Sequence, residues 1–342
     1  MRADSLLPIP GLLGRGLETL YLFGVEIDRR RQARTPPHRL TVPVLSVGNI
    51  AVGGTGKTPV VEALARTWLD RGGKPGILSR GYRGGAAGND EFRVLARRLP
   101  RVPHIAERDR SAGGERLLAR HPEVDLVLLD DGFQHRRLER DLDLVLLDAT
   151  RPFGGGRCLP AGLLREPWES LERADALLIT RSEQVGEDLL RELEGFIAGR
   201  FPRLWLGRAR RVVEGVRDAS GIVTPVRAGT RVLAFCGLGN PAAFFASLPP
   251  LGLEVALERR FPDHHRYRGS ELERLRGEAR AAGAEALVTT EKDGVKLADL
   301  PGAAGGEPPI LEIAIRAELP AGAILDRLPR RGGGGTMPAH PR

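Results

Sequence analysis

The feature that most constrains the fold is the run Val44-Leu45-Ser46-Val47-Gly48-Asn49-Ile50-Ala51-Val52-Gly53-Gly54-Thr55-Gly56-Lys57-Thr58. It reads as a buried strand, a glycine-rich turn and the start of a helix. In that context glycines let backbone N–H groups converge on phosphate oxygens, a lysine reaches the outer phosphates and a threonine hydroxyl ligates Mg²⁺. Gly53, Gly54, Thr55, Gly56, Lys57 and Thr58 are therefore the expected nucleotide-binding residues, with Lys57 also acting in catalysis and Thr58 also on the metal. Ala51 stands where the usual pattern has its first glycine. Only four of the 52 basic residues are lysines, and one of those four occupies the position where such a loop needs one.

Short apolar runs without polar alternation recur at 42–47, 76–78, 125–129, 142–147, 176–179 and 204–206, the pattern of strands buried on both faces of a parallel sheet. Helical stretches at 59–70 and 186–197 lie between them. This alternation predicts an α/β fold: a doubly wound, three-layer sheet of the P-loop NTPase type. A second set of runs at 232–235, 253–257, 286–288 and 310–313, with a helix over 269–282, predicts a smaller α/β domain. The expected organisation is an N-terminal helix and basic collar over 1–40, a phosphate-loop domain over 41–228, the smaller domain over 229–328 and a disordered tail over 329–342.

With 342 residues there is length for two domains, and 41% hydrophobic with 28% charged residues is a globular balance. The net charge of +8 favours phosphate-bearing partners. Nucleic acid is not among those expected, because no zinc spacing, recognition-helix signature or RNA-binding aromatic motif is present and aromatics are only 5%. Cys158 and Cys236 cannot form a disulfide framework, which suits a reducing compartment. Over 11–27, Leu13, Leu17, Leu20, Tyr21 and Ile27 recur at helical spacing with Arg15, Glu18 and Glu26 between them. That helix is too short and too charged to span a bilayer of about 30 Å, and no signal-peptide cleavage site follows it. Arg29, Arg30, Arg31 and Arg34 follow it directly. It either lies on an anionic membrane surface or packs on its own domain.

Asp130 and Asp131 end an apolar run, where a phosphate loop needs an acidic partner for Mg²⁺, and Gly132-Phe133-Gln134-His135 follow them. Together with VGNIAVGGTGKTP, LLDDGFQHRRLERDLDLVLLDA and LPAGLLREP, the chain carries SRGYR, FCGLGNP, FPDHH and TTEKD in order. With these motifs, over nearly its whole length, the sequence resembles the tetraacyldisaccharide 4'-kinase family of lipid A biosynthesis. The resemblance implies an enzyme at the cytoplasmic face of an inner membrane, acting as a monomer. ATP would be its donor, Mg²⁺ its metal, and the 4'-hydroxyl of a tetraacylated glucosamine disaccharide 1-phosphate its acceptor. It also implies that an acid and a histidine jointly take the acceptor's proton, which carries over to Asp90 and His264, with His265 a competing choice.

Asn89, Phe92, Gly155 and Leu163 depart from the family's motifs. Glu166 is either a further carboxylate near the metal or a surface partner of Arg165 or Arg173. Arg80, Tyr82, Gln134, His135 and Arg136 are the expected substrate contacts, in loops at the carboxyl ends of strands. Lys292 and Asp293 contact nucleotide or cap a short helix. The alternative activity is that of a partner-coupled regulatory NTPase. Its guanine-specific members carry Asn-Lys-x-Asp, whereas the nearest string here is Glu291-Lys292-Asp293.

Overall fold

The computed structural model describes residue 9, residues 11–81 and residues 90–329. Tyr82 and Asn89, and the tail expected to be disordered from residue 330 onward, lie outside the described residues. The described chain forms two compact units: residues 11–81, 95–211 and 317–329 in one, and residues 90–94 and 212–316 in the other.

The elements run α1 (Gly11–Ala33), β1 (Val44–Asn49), α2 (Lys57–Asp70), β2 (Pro75–Ser79), α3 (Asp90–Arg98), β3 (His104–Ala106), α4 (Arg110–Arg120), β4 (Leu126–Asp130) and β5 (Leu142–Asp148). β6 (Ala176–Thr180), α5 (Glu187–Arg200), β7 (Trp205–Arg208), β8 (Arg210–Arg217) and β9 (Val223–Thr224) follow. The chain continues through β10 (Thr230–Cys236), α6 (Pro241–Ala246), β11 (Leu253–Arg260), α7 (Gly269–Ala281), β12 (Ala286–Thr290), α8 (Glu291–Leu297), β13 (Ile310–Glu318) and α9 (Ala321–Leu325).

The first unit is built on a seven-stranded sheet of order β3-β2-β4-β1-β5-β6-β7, parallel at every pairing. Its strands carry apolar side chains on both faces because both faces are covered. Along β5, Leu142, Leu144 and Leu146 join one apolar cluster with Val61 and Leu64 of α2 and Ile324 of α9, while Val145 and Leu147 join another with Leu190 and Ile197 of α5. That alternation is the three-layer arrangement the sequence predicts. β1 lies between β4 and β5, with Val47 opposite Asp130, so the glycine-rich turn and the acidic pair leave the same edge of the sheet.

Helix α1 uses two stripes. On one, Gly14 is buried, Tyr21 and Leu22 pack on the α5-side cluster and the Tyr21 hydroxyl donates to the Arg165 carbonyl at 2.9 Å. Glu18 accepts from the Cys158 N–H at 2.7 Å and pairs with Arg157 at 2.8 Å, and Gln32 accepts from the Arg136 N–H at 2.8 Å. On the other stripe Leu13, Leu20, Phe23 and Ile27 are 69, 68, 66 and 51% exposed. Among the described residues no helix is long and apolar enough to cross a membrane.

The second unit holds a six-stranded sheet of order β11-β10-β12-β13-β8-β9, with parallel pairings from β11 to β13 and an antiparallel β8–β9 pair. Val232, Ala234 and Cys236 of β10 face one cluster and Leu233 and Phe235 face another, so this sheet too is covered on both sides. The division between units therefore falls at 211/212 rather than at the expected 228/229. Residues 210–217 and 223–224, within the span expected for the first domain, supply β8 and β9 to the second sheet. Residues 317–325 also return to the first unit, where Ala321, Ile324 and Leu325 cover α2.

Candidate active site

The phosphate loop is made by backbone handedness. Gly53 and Gly56 have φ of 109° and 85°, a region in which a Cβ is strained. No heavy atom lies within 4 Å of where their Cβ atoms would be, so the loop is open on that side. Gly56 caps α2 without a side-chain acceptor, leaving the first N–H groups of the helix available to an anion. Asn49, fully buried at the end of β1, braces the loop: its Nδ2 donates to the Ala51 carbonyl at 2.6 Å and to Thr55 Oγ1 at 3.0 Å, and its Oδ1 accepts from Lys57 Nζ at 3.4 Å. The Thr180 hydroxyl donates to the Thr55 carbonyl at 3.0 Å, and Arg181 bridges Asp148 and the Gly54 carbonyl. An open N-terminus with a lysine at its mouth is a cradle for phosphate.

The acidic turn follows β4. Asp130 is buried and Asp131 takes φ 55°, a left-handed conformation that short polar residues tolerate. Asp131 Oδ1 lies 3.5 Å from Lys57 Nζ and 2.9 Å from Arg165 Nη1. Burial pushes its carboxyl up, but Lys57 and Arg165 outweigh burial and hold it below the usual carboxylate range. Gln134 donates to the Asn49 carbonyl and to Glu166, both at 2.9 Å, so this turn and the glycine loop form one hydrogen-bonded body. Glu166 is buried rather than on the surface, and its partners are Arg173 at 2.8 Å and Arg136 at 3.4 Å, while Arg165 turns to Asp131. The Arg173 guanidinium also lies 3.6 Å over the Phe133 ring.

Thr58, Asp130 and Asp131 offer hard oxygen donors of the kind Mg²⁺ prefers. Both Glu166 oxygens already face guanidinium groups. Among the described residues there is no cluster of three or more acidic, histidine or cysteine side chains able to cage a metal. Of the expected substrate contacts, Arg80 is exposed just beyond β2, and Gln134 and Arg136 belong to the Glu166 network. Burial, with Arg110 nearby, pulls the His135 imidazole down to about 4.

The paired acid and histidine lie in the second unit. Asp90 opens α3, and its Oδ2 is 3.0 Å from His264 Nδ1 although 174 residues separate the two in sequence. His264 has φ 56°, held by its N–H donating to Asp263 Oδ1 at 3.0 Å and to the Gly237 carbonyl at 3.3 Å. The bond to Asp90 raises the imidazole above its ordinary value, burial opposing it. Burial pushes the Asp90 carboxyl up, yet His264 and then Lys296 hold it below the usual range. His265 is engaged elsewhere: its ring stacks on Phe261 at 4.8 Å and its Nε2 is 3.2 Å from both Glu271 oxygens. Lys292 pairs with Glu91 at 2.8 Å. Asp293, fully buried, sits inside α8, where Thr290 caps the helix.

Asn49, the Arg173–Phe133 stack and Lys296 have roles the sequence did not single out. Only Asn49, at the junction of strand and loop, carried a local signal.

The profile of a family described as tetraacyldisaccharide-1-P 4'-kinase matches residues 12–330. A tetraacyldisaccharide 4'-kinase of Anaeromyxobacter sp. (strain K) is 42% identical over 313 residues, covering 84% of this chain and 81% of that protein. One from Geobacter metallireducens is 39% identical over 315 residues, covering 86% and 87%. The crystal structure of the Aquifex aeolicus LpxK protein, solved in complex with ATP, superposes with a TM-score of 0.71 at 29% identity, over 92% of this chain and 96% of that one. The glycine loop, the acidic turn and the Asp90–His264 pair thus occur in a chain matched almost end to end, and the chain belongs to the tetraacyldisaccharide-1-phosphate 4'-kinase family.

Proposed function

We propose that this chain transfers the γ-phosphoryl group of ATP to the 4'-hydroxyl of tetraacyldisaccharide 1-phosphate, a step of lipid A biosynthesis that yields lipid IVA. The observation that carries the reading is the 3.0 Å pairing of His264 with Asp90 in a chain that also holds an open phosphate loop with Lys57 at its mouth. Phosphoryl transfer offers little covalent help to an enzyme, so its residues align the reactants, neutralise charge and accept a proton late. Loop N–H groups from Gly53 to Thr58 bind the phosphates, and Lys57 offsets the charge that moves to the leaving group. Thr58, Asp130 and Asp131 would hold Mg²⁺, whose charge would neutralise the phosphates further. Asp90 fixes the imidazole with Nδ1 protonated, so Nε2 of His264 accepts the hydroxyl proton as the new oxygen–phosphorus bond forms and ADP leaves. Arg80, Tyr82, Gln134, His135 and Arg136 make up the substrate-facing set. The exposed stripe of α1, with Arg29, Arg30 and Arg31 in its last turns and Arg34 just beyond, rests on anionic lipid at the cytoplasmic face of the inner membrane, with the enzyme acting as a monomer.

The test is mass spectrometry of tetraacyldisaccharide 1-phosphate in detergent micelles after incubation with the protein, ATP and Mg²⁺. The expected product carries one added phosphate at the 4'-position; ATP hydrolysis without that product would favour a regulatory NTPase. Lys57→Ala should nearly abolish turnover. Asp90→Ala and His264→Ala should each lower kcat by about 10²–10⁴-fold with little change in ATP affinity, and the double variant should be no worse than the poorer single one.

A further inference from the structure

Lys296 is one of only four lysines in the chain, and it is nearly buried. A buried ammonium is costly unless carboxylates compensate it, and two do so here. Its Nζ lies 2.7 Å from Asp293 Oδ1 and 3.6 Å from Asp90 Oδ2, and 5.5 Å over the Tyr267 ring. Asp90 uses the same Oδ2 to hold His264. The other oxygen of Asp293 accepts from the Gly237 N–H at 3.0 Å and from the Thr290 hydroxyl at 2.8 Å. One cation therefore faces the acid that orients His264 and the acid that anchors Gly237, whose carbonyl accepts from the His264 N–H.

We propose that Lys296 acts through Asp90 as a positioning residue. Its ammonium offsets the paired carboxylates of Asp90 and Asp293, so that the imidazole of His264 meets a compensated acid and holds its proton less tightly than it would beside uncompensated ones. The inference rests on the reading of Asp90 and His264 as the proton-accepting pair. The charged groups around that pair are Asp90 and Glu91 on α3, Asp263 beside His264, and Lys292, Asp293 and Lys296 on α8. Lys292 is paired with Glu91 at 2.8 Å and acts on Asp90 and His264 at longer range, whereas Lys296 is the lysine in contact with both Asp90 and Asp293. When His264 takes a proton, the set formed by Asp90, Asp293, Lys296 and His264 passes from one net negative charge to none. Without Lys296 the same imidazole would sit in the field of two bare carboxylates and bind its proton more tightly.

The experiment is an NMR titration of the His264 ring in the full-length protein, comparing wild type with Lys296→Met and Lys296→Arg. The Met variant should raise the midpoint of His264 by about one pH unit, and the Arg variant should return it to the wild-type value. The acid limb of the kcat profile should move upward by the same amount in the Met variant. A merely structural role would loosen the Asp90 contact and shift His264 down towards the ordinary imidazole value. A downward shift, or none, in the folded Met variant overturns the inference. If Lys296→Met does not fold, Lys296→Gln gives the same reading. The titration needs no turnover, so failure of the proton-accepting reading itself would show separately, as retained activity in His264→Ala.

Discussion

A single methyl group would test how tightly the glycine loop and the acidic turn are fitted to each other. A Cβ at Gly48 would stand 2.5 Å from Phe133 Cβ and 2.8 Å from the Phe133 nitrogen. Phe133 is fully buried with the Arg173 guanidinium on its ring, so neither side can yield cheaply. Gly48→Ala should cost about 2 kcal/mol and weaken ATP binding together, because Gln134 and Asp131 move with Phe133. Urea denaturation and nucleotide titration check this, and an unchanged midpoint would remove the argument. The loop residues were legible in the sequence because the handedness of a glycine and the reach of a lysine are local properties. The partners of Asp131 and Glu166 were not, since Arg165 and Arg173 could serve either acid until the turn was folded. His264 and His265 are the same residue type side by side. Only the three-dimensional positions of Asp90, Phe261 and Glu271 separate them.

At the scale of elements, the sequence posed a choice for the first helix between lipid and its own domain, and the structure gives it a stripe suited to each. Tyr21, Glu18 and Gln32 fasten one side, while Leu13, Leu20, Phe23 and Ile27 remain bare on the other. Leu20→Asp with Phe23→Asp should abolish sedimentation with anionic vesicles while leaving the melting temperature within about 2 °C, because neither side chain packs in the core. Retained vesicle binding would assign the bare stripe another purpose. The sheet strands were readable because burial on both faces leaves uninterrupted apolar runs. α4 was not, because Gly113 and Gly114 weaken its helical signal. They are there because Cβ atoms would come within 2.7 Å of Leu78 and 2.6 Å of Leu40. The strand β3 has three residues, too few to show a period.

The whole molecule should respond to acid through its neutral histidines. Burial pulls His104 to about 3, and burial together with Arg110 pulls His135 to about 4, against an ordinary value near 6.5. Between those limits the unfolded chain binds more protons than the folded one, so stability is present above about pH 6.5 and is lost as pH falls towards 3–4. His264, raised by Asp90, works in the opposite sense, stabilising below its ordinary value and ceasing to do so as pH rises through its folded value. Two depressed groups against one raised group predict a lower urea midpoint at pH 5 than at pH 7. His104→Gln should narrow that gap, and a flat profile in the wild type would contradict it.

The path of the chain sets the order in which these units can be completed during synthesis. The first unit begins with α1 and β1, yet its apolar layer over α2 is closed by Ala321, Ile324 and Leu325, made only after the whole second sheet. At about 5–20 residues per second, the sheet that carries the phosphate loop waits on the order of ten seconds with one flank uncovered after its last strand has left the ribosome. The second unit, once it holds Asp90, can close while the first still lacks its final helix. A chain ending shortly before residue 321 would therefore carry a complete second sheet and an apolar layer over α2 left uncovered, a natural client for chaperones.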